Sequence, residues 1–388
     1  MSGALDGLLV ADFSRVLAGP YATMLLADLG ATVVKVERPG AGDDTRSWGP
    51  PWHERADGSR ESTYFLGVNR NKRSVALNLS DTAPGGDLEL AAELARRADV
   101  LVENFKPGTL TRLGLGYEQV AATNPGIVYA SISGFGSGEG ASLPGYDLLV
   151  QAVGGLMSIT GPGPGEPTRT GVALVDVVTG LHTTVGILAA LAERNRSGRG
   201  QLVSTNLLSS LLSALVNQTS AYVVAGDVPG IIGNRHPSIT PYQVYQAADR
   251  PMVLAVGNDS QFVSFCATVG HPEWGTDERF ASNEVRVVNR ELLNQLVEPL
   301  LATRSADEWF QLLAPAGVPA GPVNGIPAAV ALATSLGLQP VRLLAGANGP
   351  LPTVASPLGL GRTPVDYRSV PPRLDEQGDD VRDWLRTG

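Results

Sequence analysis

Short apolar runs alternate with helical patterns through the first two hundred residues. Residues 8–13 (LLVADF) predict a buried strand, Pro20 opens a helix that runs to Leu29, and Gly30 closes it. Residues 32–37 (TVVKVE) predict the next strand, and a strand–helix–strand succession predicts a parallel pair. The theme returns with strands at 73–79, 98–104 and 127–133 and a helix near 88–97. A glycine-rich loop (134–140), a helix over 146–157 and a Gly/Pro loop (160–171) come next. This alternation predicts an α/β fold, a large doubly wound Rossmann-like domain. After residue 225 the pattern changes to strands at 242–247 and 251–256 and helices near 259–268, 284–303 and 305–314. Ser305 with Glu308 three residues on is a capping box that starts the last of these. Residues 316–325 read as a Gly/Pro linker. Strands at 339–344 and 352–355 are expected to rejoin the first sheet, before an extended tail and a short helix. The expected division is therefore a large domain over 1–225 and 330–388, and a small α+β domain over 226–329.

One stretch, residues 171–201, sets a carboxylate among apolar neighbours at the head of an apolar helix. Asp176 lies between Val175 and Val177, and the helix is predicted over 179–194. A helix apolar on nearly every side is expected to be buried. An acid at its mouth is costly unless satisfied or used. It reads as readily as an N-terminal cap as it does as a nucleophile kept ionised by the helix dipole.

Composition narrows the function. The 388 residues are 43% hydrophobic and 17% charged, a globular composition. A net charge of −9 argues against a nucleic acid or an anionic membrane as the main partner. The single cysteine, Cys266, excludes an internal disulfide, and no pair of the four histidines has metal-ligand spacing, so no metal is expected. The N-terminus has no signal-like apolar run, and the apolar runs at 181–192 and 207–216 are short for a bilayer. A soluble cytoplasmic protein is expected. The turn after the first strand (SRVLAGP) lacks GxGxxG, which speaks against a dinucleotide. Yet all three lysines, Lys35, Lys72 and Lys106, lie in the first 107 residues, with Arg38, Arg46, Arg70, Arg73 and Arg112 around them. Each alone reads as surface charge. As a group at strand ends they suit a ligand with several phosphates, and Phe105 offers a ring to a flat base or to the core.

Several segments together resemble one family: residues 12–46, 69–79, 103–115, 144–161, 171–201, 233–242, 256–262 and 317–324, in order. They are similar to the class III CoA-transferases, a group that includes formyl-CoA transferase, the carnitine CoA-transferases and the α-methylacyl-CoA racemases. The resemblance implies a CoA thioester as substrate, a carboxylic acid as acceptor and an interlocked homodimer. It places Val16, Leu17, Ala18, Arg38, Lys72, Arg73, Asn104, Phe105, Arg112, Gly134, Phe135 and Gly136 around CoA, and Asp176 on the catalytic aspartate. Tyr146, Gly257, Asn258 and Gln261 become candidates for the acyl pocket and a mobile lid, although Asn258 reads equally well as a helix cap. Racemases of this group need a histidine before the aspartate of a GHD triplet. Here the triplet is Gly145-Tyr146-Asp147, and tyrosine is a poor base at neutral pH. His182, on the apolar helix, reads as a core residue. An acyl-CoA:carboxylate CoA-transferase is therefore favoured over a racemase or a non-catalytic CoA-binding homologue. Leu17 replaces the glutamine of formyl-CoA transferases, which argues for a larger or less polar acyl group than oxalyl or formyl.

Overall fold

The computed structural model describes residues 3–55, 57–346 and 349–387. The chain divides into two compact units. The first comprises Met1–Leu156, Arg169–Val228 and Gln339–Gly388, and the second Met157–Thr168 and Pro229–Leu338. The Gly/Pro segment 157–168, which the sequence assigns to the large domain, thus groups with the second unit.

The first unit is built on six parallel strands: β1 (Leu9–Asp12), β2 (Thr32–Glu37), β3 (Lys72–Ala76), β4 (Val100–Glu103), β5 (Val128–Ser133) and β6 (Leu202–Asn206), in the order β3-β2-β1-β4-β5-β6. This is the doubly wound order, which reverses direction beside β1 and opens a crevice at the carboxyl ends of β1 and β4. Alternate residues feed opposite faces. Ala11, Val34, Leu101 and Tyr129 pack on one face with Leu90 and Leu94 of the helix Asp87–Arg97. Val10, Val33, Val100 and Val128 pack on the other, with Leu26 of α1 (Ala18–Asp28) and Ile187 and Leu191 of a 24-residue helix, Leu174–Ser197. Burial on both faces is why these strands read as near-continuous apolar runs. β6 escapes prediction, because its polar residues Ser204, Thr205 and Asn206 hide the pattern of an edge strand.

Three helices border the crevice: α1, α2 (Asp147–Val153) and α3 (Leu174–Ser197). α3 starts five residues earlier than expected and ends in a left-handed Gly198. At this length it is long and apolar enough to cross a membrane by composition alone, yet it packs against α1, β5 and β6. α1 and α3 meet at Gly180, where an added Cβ would lie 2.7 Å from the Ala18 carbonyl oxygen. The expectation of a helix buried all round needs correction. Leu174, Leu181 and Val185 form an exposed apolar stripe, and Val185 is 65% exposed. His182 is half-buried.

The late strands do not rejoin the main sheet. Among the described residues, Val341–Leu344 and Leu351–Val354 pair only with each other, antiparallel, although they belong to the first unit. A hairpin, Trp52–Glu54 with Arg60–Ser62, likewise leaves no clear pattern in the sequence.

In the second unit, Tyr242–Gln246, Pro251–Ala255 and Ala320–Pro322 form an antiparallel sheet. The last strand falls inside the segment read as a linker; its one glycine and one proline are tolerated at a sheet edge. The predicted 284–303 helix is broken into Asn283–Val288 and Arg290–Leu301, and the capping box of Ser305 and Glu308 is present. Trp309, Phe262 and Phe265 fill the core beneath the sheet.

Candidate active site

The crevice at the sheet's carboxyl edge holds a cavity of ≈ 320 Å³ with Asp176 in its wall. Val16, Leu17, Ala18, Asn104, Phe105, Gly134 and Tyr146 also line it. A second cavity of ≈ 340 Å³ shares Lys106, Pro107 and Ser133 with the first and reaches Thr109, Gly116 and Gly136. The two make one groove that runs from Asp176 past the loop after β4.

Asp176 is the third residue of α3, and it is not the cap. The cap comes from α2: Asp147 Oδ2 accepts from the backbone N–H groups of Val175 at 2.8 Å and Asp176 at 3.2 Å. Gln151 donates to Asp147 Oδ1 at 2.5 Å and accepts from the Thr170 N–H at 3.0 Å. Two orphan donors of the helix are thereby satisfied by a residue of another helix, which frees the Asp176 side chain for the cavity.

The electrostatics depart from the expectation that the helix dipole keeps this carboxylate ionised. Desolvation by burial, then the Asp147 carboxylate, push Asp176 up to about 7. Asp176 is only partly covered, because it faces the cavity, but no cation lies within ion-pair distance among the described residues. The dipole of the first turn favours the charged form by at most about 1 kcal/mol on a surface helix, less than these two effects together. Tyr64, in the apolar cluster with Val16, Leu17 and Ala173, is pushed up to about 12 by burial and then by Asp176 and Asp147, and so remains a hydroxyl donor.

The loop after β1 is held in an unusual shape. Val16 has φ +70°, a conformation a β-branched residue rarely adopts. Asn104 clamps the residue before it: Asn104 Oδ1 accepts from the Arg15 N–H at 2.8 Å, and Asn104 Nδ2 donates to the Arg15 carbonyl at 2.7 Å. The Val16 N–H donates to Asp43 at 3.2 Å. Strain stored where a loop lines a cavity is a common mark of a binding site. On the opposite wall, Gly134 and Gly145 touch: a Cβ on either would lie 2.5 Å from the other's Cα. Only glycines let the loop bearing Tyr146 lie on the end of β5.

The basic set divides. Lys72, expected at the CoA site, has a fully buried side chain, ion-paired to Asp12 at 3.0 Å and donating to the Pro20 carbonyl at 2.9 Å. It opens its strand rather than ending it and lies in register with Val33, inside the sheet layer. Lys35 is likewise buried against Asp43 and Arg70 against Asp28, and Arg46, half-buried, pairs with Glu37. Arg73 turns toward Asp380 of the C-terminal helix and does not line the groove. Arg38 reaches the rim through Asp44 at 3.5 Å, and Arg112 stands on the short helix whose Thr109 and Thr111 line the groove. Phe135 packs in an apolar cluster with Val150 and Leu211 rather than in the cavity wall.

Sequence reasoning missed Arg15, Asp44, Tyr64 and the capping role of Asp147. Arg15 lines the Asp176 cavity, pairs with Asp44 at 3.2 Å and lies over the Phe105 ring at 5.3 Å. Its position within the SRVLAGP turn was the available signal. Gly257, Asn258 and Gln261 lie in the second unit. There Asn258 Oδ1 accepts from the Gln261 N–H at 2.9 Å as a helix cap, and Gln261 Oε1 accepts from the Gly257 N–H at 2.8 Å. Among the described residues, no group of three or more His, Cys, Asp or Glu side chains is placed to hold a metal ion.

Residues 5–378 match the family described as CoA-transferase family III. The chain is 44% identical over 323 residues to the Mus musculus protein named succinyl-CoA:glutarate CoA-transferase, covering 83% of this chain and 72% of that protein. It is 40% identical over 383 residues to the acetyl-CoA:oxalate CoA-transferase of Acetobacter aceti, covering 98% and 95%. A solved structure of a CAIB/BAIF family protein from Brucella suis superposes with TM-score 0.87 at 39% identity, covering 99% of this chain and 100% of that one.

Proposed function

The chain belongs to CoA-transferase family III and is a CoA-transferase that takes acyl-CoA and carboxylate substrates; from that premise we propose that Asp176 carries the acyl group and CoA in turn. The observation that supports this is a carboxylate in a cavity wall, freed from capping by Asp147 and raised to about 7. A more basic carboxylate is a better nucleophile than an ordinary one and is still largely ionised just above neutral pH.

Asp176 attacks the donor thioester carbonyl; the C–S bond breaks, leaving an acyl-aspartyl anhydride and CoA thiolate. The thiolate attacks the aspartyl carbonyl and expels the donor acid as its carboxylate, giving an aspartyl-CoA thioester. The acceptor carboxylate attacks that thioester and expels the thiolate, and a new anhydride forms on Asp176. The thiolate then takes the acceptor acyl group and restores the Asp176 carboxylate. Each step passes a tetrahedral oxyanion, which Tyr64 is chemically suited to meet as a donor.

The groove suits CoA as substrate along the loop 104–112. Lys106, Arg38 and Arg112 supply cations for phosphates, and Phe105 with the strained 16–18 loop supplies an apolar wall. Arg15 adds a cation elsewhere on the same cavity wall, fitting the far carboxylate of a short dicarboxylic acyl group such as the glutarate in the name of the mouse relative. The exposed stripe of α3, continued by Leu148, Leu149 and Val153 on α2, supports a homodimer in which a second copy covers it.

The test is to incubate the protein with succinyl-CoA and glutarate, quench, and analyse the peptide that contains Asp176 by mass spectrometry. A CoA or acyl adduct on Asp176 is expected. Turnover that survives Asp176→Ala would sink the assignment.

A further inference from the structure

The second unit has a cavity of its own, ≈ 840 Å³, and no residue lining it lines the Asp176 groove. Ile231, Ile232 and Val244 give it apolar walls, and Arg235 and Arg290 give it two cations. Gln243, itself buried, lines it too, its Oε1 held by the Asn294 amide at 3.4 Å.

Arg290 is the residue on which the cavity turns. It is the first residue of the helix Arg290–Leu301, at the positive end of the helix dipole, where a cation is disfavoured. The Asn289 side chain makes no capping bond there. Arg290 Nη2 donates to the Pro237 carbonyl at 3.2 Å, while Nη1 is buried with no hydrogen-bond partner. Among the described residues no carboxylate lies within ion-pair distance of it. Arg235 is paired with Glu291 at 2.5 Å, and both side chains of that pair are exposed, so Arg290 is the cation left without a carboxylate. Burial, and then the charge of Arg235, make Arg290 a weaker base than a free guanidinium. A buried guanidinium N–H without an acceptor, a neighbouring cation and a helix start all call for one thing, an anion. The apolar walls call for a hydrocarbon stem on it.

We propose that this cavity binds a free carboxylic acid with a short apolar chain, its carboxylate on Arg290 and Arg235 and its chain against Ile231, Ile232 and Val244. Phosphate would satisfy the arginines but not the walls. The site does not rest on the Asp176 chemistry, since neither arginine belongs to that groove.

Calorimetric titration with hexanoate tests it, using the full chain with Asp176→Asn and saturating CoA so that turnover is silent. Hexanoate is expected to bind. Arg290→Gln and Arg235→Gln should each weaken it roughly tenfold or more, the loss expected of a charged hydrogen bond, with melting temperatures close to the parent's. If Arg290→Gln does not fold, Arg235→Gln and Ile232→Glu read the same site. Absence of hexanoate binding, or equal affinity in the arginine variants, would overturn the proposal. Inorganic phosphate binding there as tightly as hexanoate would overturn it as well.

Discussion

Asp12 sits at the end of β1 with Lys72 3.0 Å away, and hydrogen bonds reach it from Ser14 at 2.5 Å and Thr23 at 2.7 Å. Asp176, at the mouth of α3 in the same unit, has another acid beside it instead of a cation. Burial presses both carboxyls upward. At Asp12, Lys72 and then Lys35 outweigh burial and hold the group at about 2; at Asp176 nothing does, and Asp147 adds to the rise. The contrast separates a structural acid from a reactive one. A buried carboxylate stays an ion where lysines are spent on it, and becomes a tunable nucleophile where the nearest charge has its own sign. Most of the basic set that resembled a phosphate site turns out to serve the first purpose.

The contrast breaks most sharply at Asp176 itself. Asp176→Ala should lower CoA transfer by at least about 10⁴-fold, because groups that act as one nucleophilic unit lose nearly all their effect together; steady-state rates with succinyl-CoA and glutarate check this. Lys72→Met strands Asp12 without its partner and should destabilise the fold by about 3–5 kcal/mol, read from urea unfolding. It should act chiefly on stability, because Lys72 does not line the groove.

Asp176→Asn should do the reverse. A group raised from 3.8 to about 7 on folding costs stability as pH rises through that window, because the folded state holds a proton that the unfolded chain has released. Removing the charge should therefore stabilise the protein at pH 8, by about 1 kcal/mol after discount for its partial exposure, and by little at pH 4. Thermal unfolding at the two pH values distinguishes these outcomes. The smallest effect expected is that of Asp147→Asn. The pH profile of kcat/KM should rise through about 7 in the wild type as Asp176 ionises, and the variant's acid limb should move to lower pH by less than about 1, because one of the two causes of the rise is gone. A limb that stays in place would show that Asp147 acts on Asp176 through helix geometry alone.

Patterns that depend on neighbours in the chain were legible from the sequence. Short apolar runs bounded by turn residues marked β1, β2, β4 and β5, and the Ser305–Glu308 spacing marked its helix start. β6, the hairpin at 52–62 and the strand at 320–322 were not legible, since edge strands rich in polar residues, glycine or proline bury too little to leave a clear apolar signal.

The candidate site shows the same division. That Asp176 stands at the head of an apolar helix was set by the chain's own order; that Val16, Leu17, Asn104 and Gly134 belong at the site was implied by the family resemblance, and the fold brings them into one cavity wall. Which cations remain for a ligand was decided by tertiary structure: Lys72, Lys35, Arg46 and Arg70 are consumed by acids up to 60 residues away, while Lys106 lines the cavity and Arg15 lines it together with its partner Asp44. The cap of α3 was decided in the same way, by an aspartate on another helix. Local spacing encodes backbone shape because its hydrogen bonds close within a turn or a strand pair. The charge state of a buried acid depends on the groups that packing brings within a few ångströms, whatever their separation along the chain.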